Sequence, residues 1–306
     1  MRELPLELMF NEEAEIEKIT RFIKNHLNKF GRSGVILGVS GGVDSGVVLK
    51  LLLRSLPKEK IFALILPDRD TEKKSVSLAL SLLKEEEVSY KIINISSILS
   101  KFGIYKELPY WLLPTRRIRE NITRKFYNDY TKKFKKSPFF LGLKVPEELL
   151  NDKWFLKGIS YHRIKHRIRM VTLYYYAELN NLLVAGTCNK TEKFLGFFVK
   201  YGDSAVDLDP IAHLFKTQVF KLAEKLGVPD EIINRPPSPD LIPGITDEFA
   251  MGLSYEVVDR VLARLINGED PTEIAKIVNL DVEKVKILKE AMENSLHMRS
   301  LPPSLT

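Results

Sequence analysis

The sequence predicts an α/β fold, a doubly wound parallel sheet with helices on both faces, and three observations carry that prediction. Val35–Val39 is an apolar, β-branched run that enters Ser40-Gly41-Gly42 and then a stretch with Val47, Val48, Leu51 and Leu52 on one helical face, so a strand gives way directly to a helix. Ile61–Pro67 and Tyr90–Ile95 are two further short apolar runs with the helical stretch Asp70–Glu85 between them. Leu182–Gly186 is a fourth. Strands that alternate with helices pair in parallel, with the helices covering the faces. Ligands of such sheets sit at the carboxyl ends of the strands.

The elements follow in order. Glu12–Phe30 places Ile16, Ile19, Phe22, Ile23 and Leu27 at helical spacing and stops at Gly31. Within Asp70–Glu85, Val76, Leu80 and Leu83 mark the buried face. Ser100–Gly158 breaks the alternation: it is aromatic and basic, and reads as an insertion of short helices packed on the sheet edge or over the site. His162–Asn180 returns to a helix, mixing Arg163, Lys165, Arg167 and Arg169 with Ile164, Ile168, Val171 and Leu173. Lys216–Leu226 is a helix stopped by Gly227 and Pro229. The proline-rich stretch Asn234–Asp247 is long enough for a lid. The tail is helical, with Val258, Val261, Leu262 and Leu265 on one face of Tyr255–Ile266, a capped start at Asp270-Pro271, and a last helix over Val282–Leu296. The expected organisation is a single unit over 1–306, with a basic insertion at about 100–158 and a helical segment at about 254–306.

Composition narrows the function. At 306 residues, with 44% apolar and 28% charged residues, the chain has ordinary globular content. Met1–Asn11 carries Arg2, Glu3, Pro5 and Glu7 rather than an apolar leader, and no stretch approaches a membrane span, so a cytoplasmic protein is expected. The single Cys188 excludes an internal disulfide framework and any CxxC metal or sulfur-relay site. Between Tyr110 and Lys136 there are nine Lys and Arg against Glu120 and Asp129, an excess equal to the chain's +7. Such a cluster suits a polyanion, whether nucleic acid or a phosphate-rich substrate, and it also suits a solvated helical face.

The turn after the first strand carries the chemistry. Adjacent glycines let backbone N–H groups approach an anion, and the helix N-terminus adds partial positive charge. Ser40 and Ser45 supply hydroxyl donors, while Asp44 beside a phosphate site suggests Mg²⁺. There is neither GKS nor GxGxxG, which excludes a Walker A loop and the dinucleotide fingerprint. Ser40–Ser45 instead resembles the pyrophosphatase-type loop of ATP-dependent ligases that adenylate their substrates. A second dense polar stretch follows Leu182–Gly186, with Thr187, Asn189, Lys190, Glu192, Lys200, Asp203 and Asp207.

That stretch, GTCNKTEKFLGFFVKYGDSAVDLDPIAHLFKTQV, is followed in order by PSPDLIPGITDE, GLSYEVVD and HMRSLPP. With SGGVDS, these resemble the ammonia-dependent NAD⁺ synthetase family over about 12–96 and 166–303, the central insertion lying outside the match. The resemblance implies ATP-dependent amidation of nicotinate adenine dinucleotide through an adenylated carboxylate, with release of AMP and pyrophosphate. It implies that Gly38, Val39, Ser40, Gly41, Gly42, Val43, Asp44 and Ser45 hold the ATP phosphates. Asp44 and Glu192 would be Mg²⁺ ligands, and Thr187, Lys216 and Ser238 would contact ATP. Asp44 and Lys216 are the expected catalytic pair. Arg167, Lys200, Asp207 and His297 would meet the dinucleotide, partly from the second subunit of a homodimer. No stretch is large enough for a glutaminase domain, so ammonia would arrive free or from a partner protein.

The chain departs from the family pattern at Arg163 (asparagine in the pattern), His166 (alanine), Ser204-Ala205 (glycines), Ile245 (glutamine) and Met298 (lysine). The competing reading keeps the ATP site but gives it another carboxylate, or RNA held along 110–136. On the first reading the insertion, with Tyr110, Trp111 and Phe126, covers the substrate side as a lid or dimer contact.

Overall fold

Four short strands, β1 (Gly34–Gly38), β2 (Ile61–Ile65), β3 (Ser89–Ile92) and β4 (Leu182–Ala185), form a parallel sheet in the order β3-β2-β1-β4. The structure is a computed structural model, and it describes residues 4–107, 115–238 and 244–305. The expected Tyr110 and Trp111 of the insertion, and 239–243 of the expected lid, lie outside the described residues.

Strand alternation divides the core in two. Val35, Leu37, Ile61, Ala63, Ile65, Leu183 and Ala185 face one helical layer: α1 (Glu12–Lys29), α2 (Val43–Ser55), α3 (Lys73–Glu85) and α10 (Lys216–Leu226). Ile36, Leu64, Leu182 and Val184 face the other, made by α4 (Ser96–Lys101), α5 (Ile104–Glu107) and α8 (Lys153–Asn180). The period of two thus buries both faces of the sheet, as parallel strands require. Because α2 and α8 lie on opposite faces, the strand ends of β1 and β4 open a crevice between them.

The insertion is not a set of short helices alone. Its centre is α6 (Arg116–Phe134), 19 residues long and capped by Thr115, whose side chain accepts from the Ile118 N–H. After α7 (Pro138–Leu143), helix α8 starts at Lys153, well before the expected His162, so the insertion ends about six residues earlier than predicted. The reason is local: the Asp152 carboxylate accepts from the N–H groups of Trp154 and Phe155 at 3.1 and 3.0 Å, an N-cap that outweighs the mixed polarity of the turn behind it. Phe126, Tyr130 and Phe134 of α6 pack with Leu141, Leu149 and Phe155, giving the insertion its own small core.

Beyond β4, the short α9 (Lys190–Leu195) and α10 lead through α11 (Asp230–Ile233) and α12 (Asp247–Met251) to α13 (Tyr255–Ile266), α14 (Pro271–Val278), α15 (Val282–Asn294) and α16 (Leu296–Arg299). The last group builds a helical core from Val258, Val261, Leu262, Ile274, Val285 and Leu288, and Leu195 of α9 packs into it. The expected helical segment is therefore present, ending as a helix at Arg299. Among the described residues no helix is long and apolar enough to cross a membrane.

Candidate active site

The turn leaving β1 is held by its own hydroxyls. Ser40 Oγ accepts from the Gly42 N–H at 3.2 Å, while Ser45 Oγ accepts from the Ser40 N–H at 3.3 Å and donates to the Gly42 carbonyl at 3.0 Å. Gly42 is the N-cap of α2, so the first N–H groups of that helix face the turn. Gly41 has φ +79°, and a Cβ there would stand 2.3 Å from the Ser75 carbonyl oxygen of α3. Only glycine fits.

The second polar stretch is folded against this turn by a capping box. Asn189 accepts from the Glu192 N–H at 3.0 Å, and Glu192 Oε2 accepts from the Asn189 N–H at 3.1 Å. The Asn189 amide then donates to Asp44 Oδ1 at 3.0 Å. Lys216, the first residue of α10, is 1% exposed. Its ammonium pairs directly with Asp44 Oδ2 and lies 3.9 Å from Glu192 Oε1. Asp247 contributes a third buried carboxylate. Its Oδ2 accepts from the Tyr255 hydroxyl at 2.7 Å, and its Oδ1 has no partner among the described residues.

The electrostatics follow from burial. Desolvation pushes the Glu192 carboxyl well above its ordinary range, and neighbouring Asp44 adds to the shift. Burial likewise raises Asp247 to about 6. Burial alone would lower the Lys216 ammonium, but Asp44, Glu192 and Asp247 together outweigh it and hold it above its ordinary value. A cation bound between Asp44 and Glu192 would offset the burial that disfavours the ionised form of Glu192. The donor set is hard oxygen, which suits Mg²⁺ bound through one or two carboxylates and completed by phosphate oxygens. The expected ligands Asp44 and Glu192 therefore fit the ion.

Behind the site, fully buried Asp259 accepts from the Thr217 N–H and hydroxyl, both at 2.8 Å, and from the Thr191 hydroxyl. Thr191 Oγ1 accepts from the Lys216 N–H at 2.9 Å. This junction fixes where α10 begins, and so where the Lys216 side chain starts. Sequence reasoning did not single out Asp247 or Asp259, although both stand in the quoted segments GITDE and YEVVD.

A cavity of about 780 Å³ opens over the turn. Every residue expected on the ATP side lines it except Gly41, whose α-carbon is turned toward α3. The opposite wall is apolar and comes from the insertion and α8, including Ile122, Phe126, Tyr127, Phe139 and Ile159. Arg124 Nε ties α6 to the Gly244 carbonyl at 2.8 Å, and Arg116 lies 3.6 Å from Glu72, the residue before α3. Glu72 also accepts from Arg235 at 2.7 Å. On the α8 side, Lys165 is fully buried between Asp68 and Asp70 at 2.7 and 2.8 Å, and Arg169 Nε donates to the Leu66 carbonyl at 3.0 Å. These contacts lock α8 to the end of β2.

The four residues expected at the dinucleotide do not line the cavity. Three of them form a chain: Arg167 donates to the Lys200 carbonyl at 3.4 Å, and the Lys200 ammonium donates to the His297 carbonyl at 2.6 Å. Asp207 stands apart, accepting from the Tyr174 hydroxyl at 3.1 Å and the Val184 N–H at 2.8 Å. Arg167 heads a row on the outer face of α8 with Val171, Tyr175 and Leu179, which are 56%, 62% and 64% exposed. Cys188 is buried against Phe198 and Met298, and burial raises its thiol pKa. That is a packing environment.

Comparison with known proteins finds matches over most of the chain. The NAD synthase family description matches residues 15–109 and 119–302. That span takes in most of the insertion, correcting the expectation that the resemblance stops at its borders. The NH₃-dependent NAD⁺ synthetase of Coprothermobacter proteolyticus is 50% identical over 90% of this chain and 94% of its own length. That of Thermotoga maritima is 43% identical over 94% of this chain and 97% of its own. Among solved structures, the NH₃-dependent NAD synthetase of Campylobacter jejuni in complex with the nitrate ion covers 97% of this chain and 100% of its own, with TM-score 0.66 at 27% identity. NMN synthetase from Francisella tularensis matches with TM-score 0.70 at 24% identity, covering 97% and 99%, a likeness of fold.

Proposed function

The chain belongs to the NAD synthase family, and from that membership we propose how its residues carry the ATP-dependent amidation of nicotinate adenine dinucleotide to NAD⁺ by ammonia. A carboxylate is a poor electrophile. Transfer of AMP from ATP gives it a leaving group, pyrophosphate departs, and ammonia then displaces AMP to form the amide. No covalent enzyme nucleophile is needed, and Cys188 is not placed as one.

The residues divide the work by charge. In this reading the Ser40–Ser45 turn and the N-terminus of α2 receive the β- and γ-phosphates through backbone N–H groups and hydroxyls. Lys216, held cationic by its carboxylate neighbours, meets the negative charge that develops as pyrophosphate leaves. Mg²⁺ held by Asp44, Glu192 and phosphate oxygens would neutralise the same charge. Thr187 and Ser238 line the cavity where they can bind ATP. Arg167, Lys200, Asp207 and His297 are assigned to the dinucleotide, and their position outside the cavity supports a site completed by a second copy. The exposed row Val171, Tyr175 and Leu179 beside Arg167 supports a two-fold homodimer on that face. Helix α6 serves as the cover on the substrate side. With Arg116 and Arg124 engaged by Glu72 and Gly244, no observation favours RNA on that helix.

The observation that carries the assignment is the meeting of Asp44, Glu192 and Lys216 beside the glycine turn, in one cavity at the ends of β1 and β4. The test is product stoichiometry with ATP, Mg²⁺ and ammonium. One AMP and one pyrophosphate should appear per NAD⁺ formed, and neither without the dinucleotide. Equal pyrophosphate release with an unrelated carboxylate would sink the substrate assignment.

A further inference from the structure

His166 and Asp203 form a pair in the cavity wall that none of the roles above uses. Both line the cavity, and His166 Nδ1 stands 3.2 Å from Asp203 Oδ2. The carboxylate is fixed in turn, since Asp203 Oδ1 accepts from the Val199 N–H at 2.7 Å. The imidazole is fixed from below, because Gly202 packs so close that a Cβ there would stand 2.9 Å from His166 Cβ. Nδ1 thus faces the carboxylate at ion-pair distance, while no hydrogen bond to Nε2 is found among the described residues. A carboxylate that holds Nδ1–H leaves Nε2 as the basic nitrogen. The pair is also joined to the phosphate side: the Asp203 carbonyl accepts from Cys188 Sγ at 3.6 Å, and the next residue, Asn189, holds Asp44.

We propose that His166 is the proton acceptor for the incoming amine in the second half-reaction, with Asp203 as the residue that orients it. The proposal rests on the amide-synthesis reading above. In the step, the ammonia lone pair forms the C–N bond at the adenylated carboxyl carbon. The bond from that carbon to the AMP oxygen breaks, its electron pair leaving with AMP. One N–H proton passes to His166 Nε2, giving an imidazolium beside the Asp203 carboxylate and a neutral amide. The groups facing His166 set its poise. Asp203 approaches from the loop after Val199, and His162, Lys165, Arg167 and Arg169 come from its own helix. Burial, aided by the three cations, outweighs Asp203 and keeps the imidazole neutral and able to accept.

The test separates the half-reactions in the full chain. Adenylation is read as the dinucleotide-dependent pyrophosphate burst without ammonia. Aminolysis is read as kcat/KM per free NH₃ from about pH 4.5 to pH 8, a window that reaches below the ordinary imidazole value because burial holds His166 under it. His166→Ala and His166→Gln should lower the second by about 10²-fold and remove its rise with pH, while the burst keeps its amplitude. Asp203→Asn should give the same change in pH profile with a smaller loss. If His166→Ala retains the parental kcat/KM for NH₃, or if burst and aminolysis fall together in both His166 variants, the proton-acceptor role is wrong. A parental protein with no burst at all overturns the amide-synthesis reading and this proposal with it, a result distinct from a normal burst with unaffected aminolysis.

Discussion

Asp44 and Lys216 form an ion pair across 172 positions of sequence, joining α2, the helix after β1, to α10, the second helix after β4. Neither partner is at ease alone, because the lysine is buried and Asp44 shares its surroundings with Glu192 and Asp247. The pair is therefore part of the fold as well as of the site.

Lys216→Met should both unfold the protein more easily and silence it. Removing one partner of a buried pair typically costs about 3–5 kcal/mol, and here three carboxylates lose their cation. Urea midpoints should show the loss to be smaller near pH 5 than at pH 8, since Asp247 titrates at about 6 and is protonated in the acid. A loss below about 1 kcal/mol at pH 8 would mean that Lys216 does not balance this cluster.

Glu192→Gln should do the reverse for stability. The folded-state pKa of Glu192 is raised by burial and by Asp44. Ionising it at neutral pH therefore costs folding free energy that the unfolded chain does not spend, and glutamine removes that cost while keeping the capping box. The variant should melt no lower than the parent at pH 7.5, yet lose Mg²⁺-dependent pyrophosphate release. Near-normal turnover at saturating Mg²⁺ would remove Glu192 from the metal site.

Asp259 gives a pH signature away from the chemistry. Burial raises its pKa from 3.8 to about 6 despite three hydrogen bonds. Between those values the folded state holds a proton that the unfolded state has released, so the contribution of this group to stability falls as pH rises and levels off above about 6. Relative to Asp259→Asn, the parent should lose stability from pH 4 to pH 6.5. Parallel stability curves for the two proteins would contradict the shift.

Two neighbouring glycines should behave differently. Gly41→Ala forces a left-handed alanine into the Ser75 carbonyl and should cost at least about 2 kcal/mol while abolishing pyrophosphate release. Gly42→Ala meets only the Ser40 hydroxyl at 3.3 Å and should lower stability by less than about 1.5 kcal/mol. Thermal melts of the two variants decide the order.

Tyr175→Asp with Leu179→Asp should leave the fold intact, because both side chains are mostly exposed. If this face of α8 joins two copies, sedimentation should shift from dimer to monomer and activity should fall with it. An unchanged sedimentation coefficient would place the interface elsewhere.

How much of this was legible depends on the kind of signal. The strands were, because Val35–Val39 and Ile61–Pro67 are apolar runs of strand length between turn residues. The glycine turn was, because Gly41 answers a backbone requirement that no other residue meets. The start of α8 was missed, since its first turns mix Lys153, Trp154 and Lys157 and only the Asp152 cap marks the boundary. Asp247 and Asp259 were missed because a buried acid looks like a surface acid in sequence; only the fold supplies the burial that shifts it. The outward place of Arg167 was also hidden, because the arginines of this helix alternate faces within a single turn.

Helix α8 sets a rule for how chain length can drift in this protein. Its 28 residues, about 42 Å of continuous helix, carry His162, His166 and Arg169 on the cavity side and Arg167, Val171, Tyr175 and Leu179 on the outer side. A single inserted or deleted residue would rotate everything beyond it by about 100°. Groups beyond the change would leave their faces while those before it stay in place. Insertions and deletions within Lys153–Asn180 should therefore be selected against. A scan of one-residue insertions along the chain, scored for growth when NAD⁺ synthesis is limiting, should show that interval as an unbroken gap.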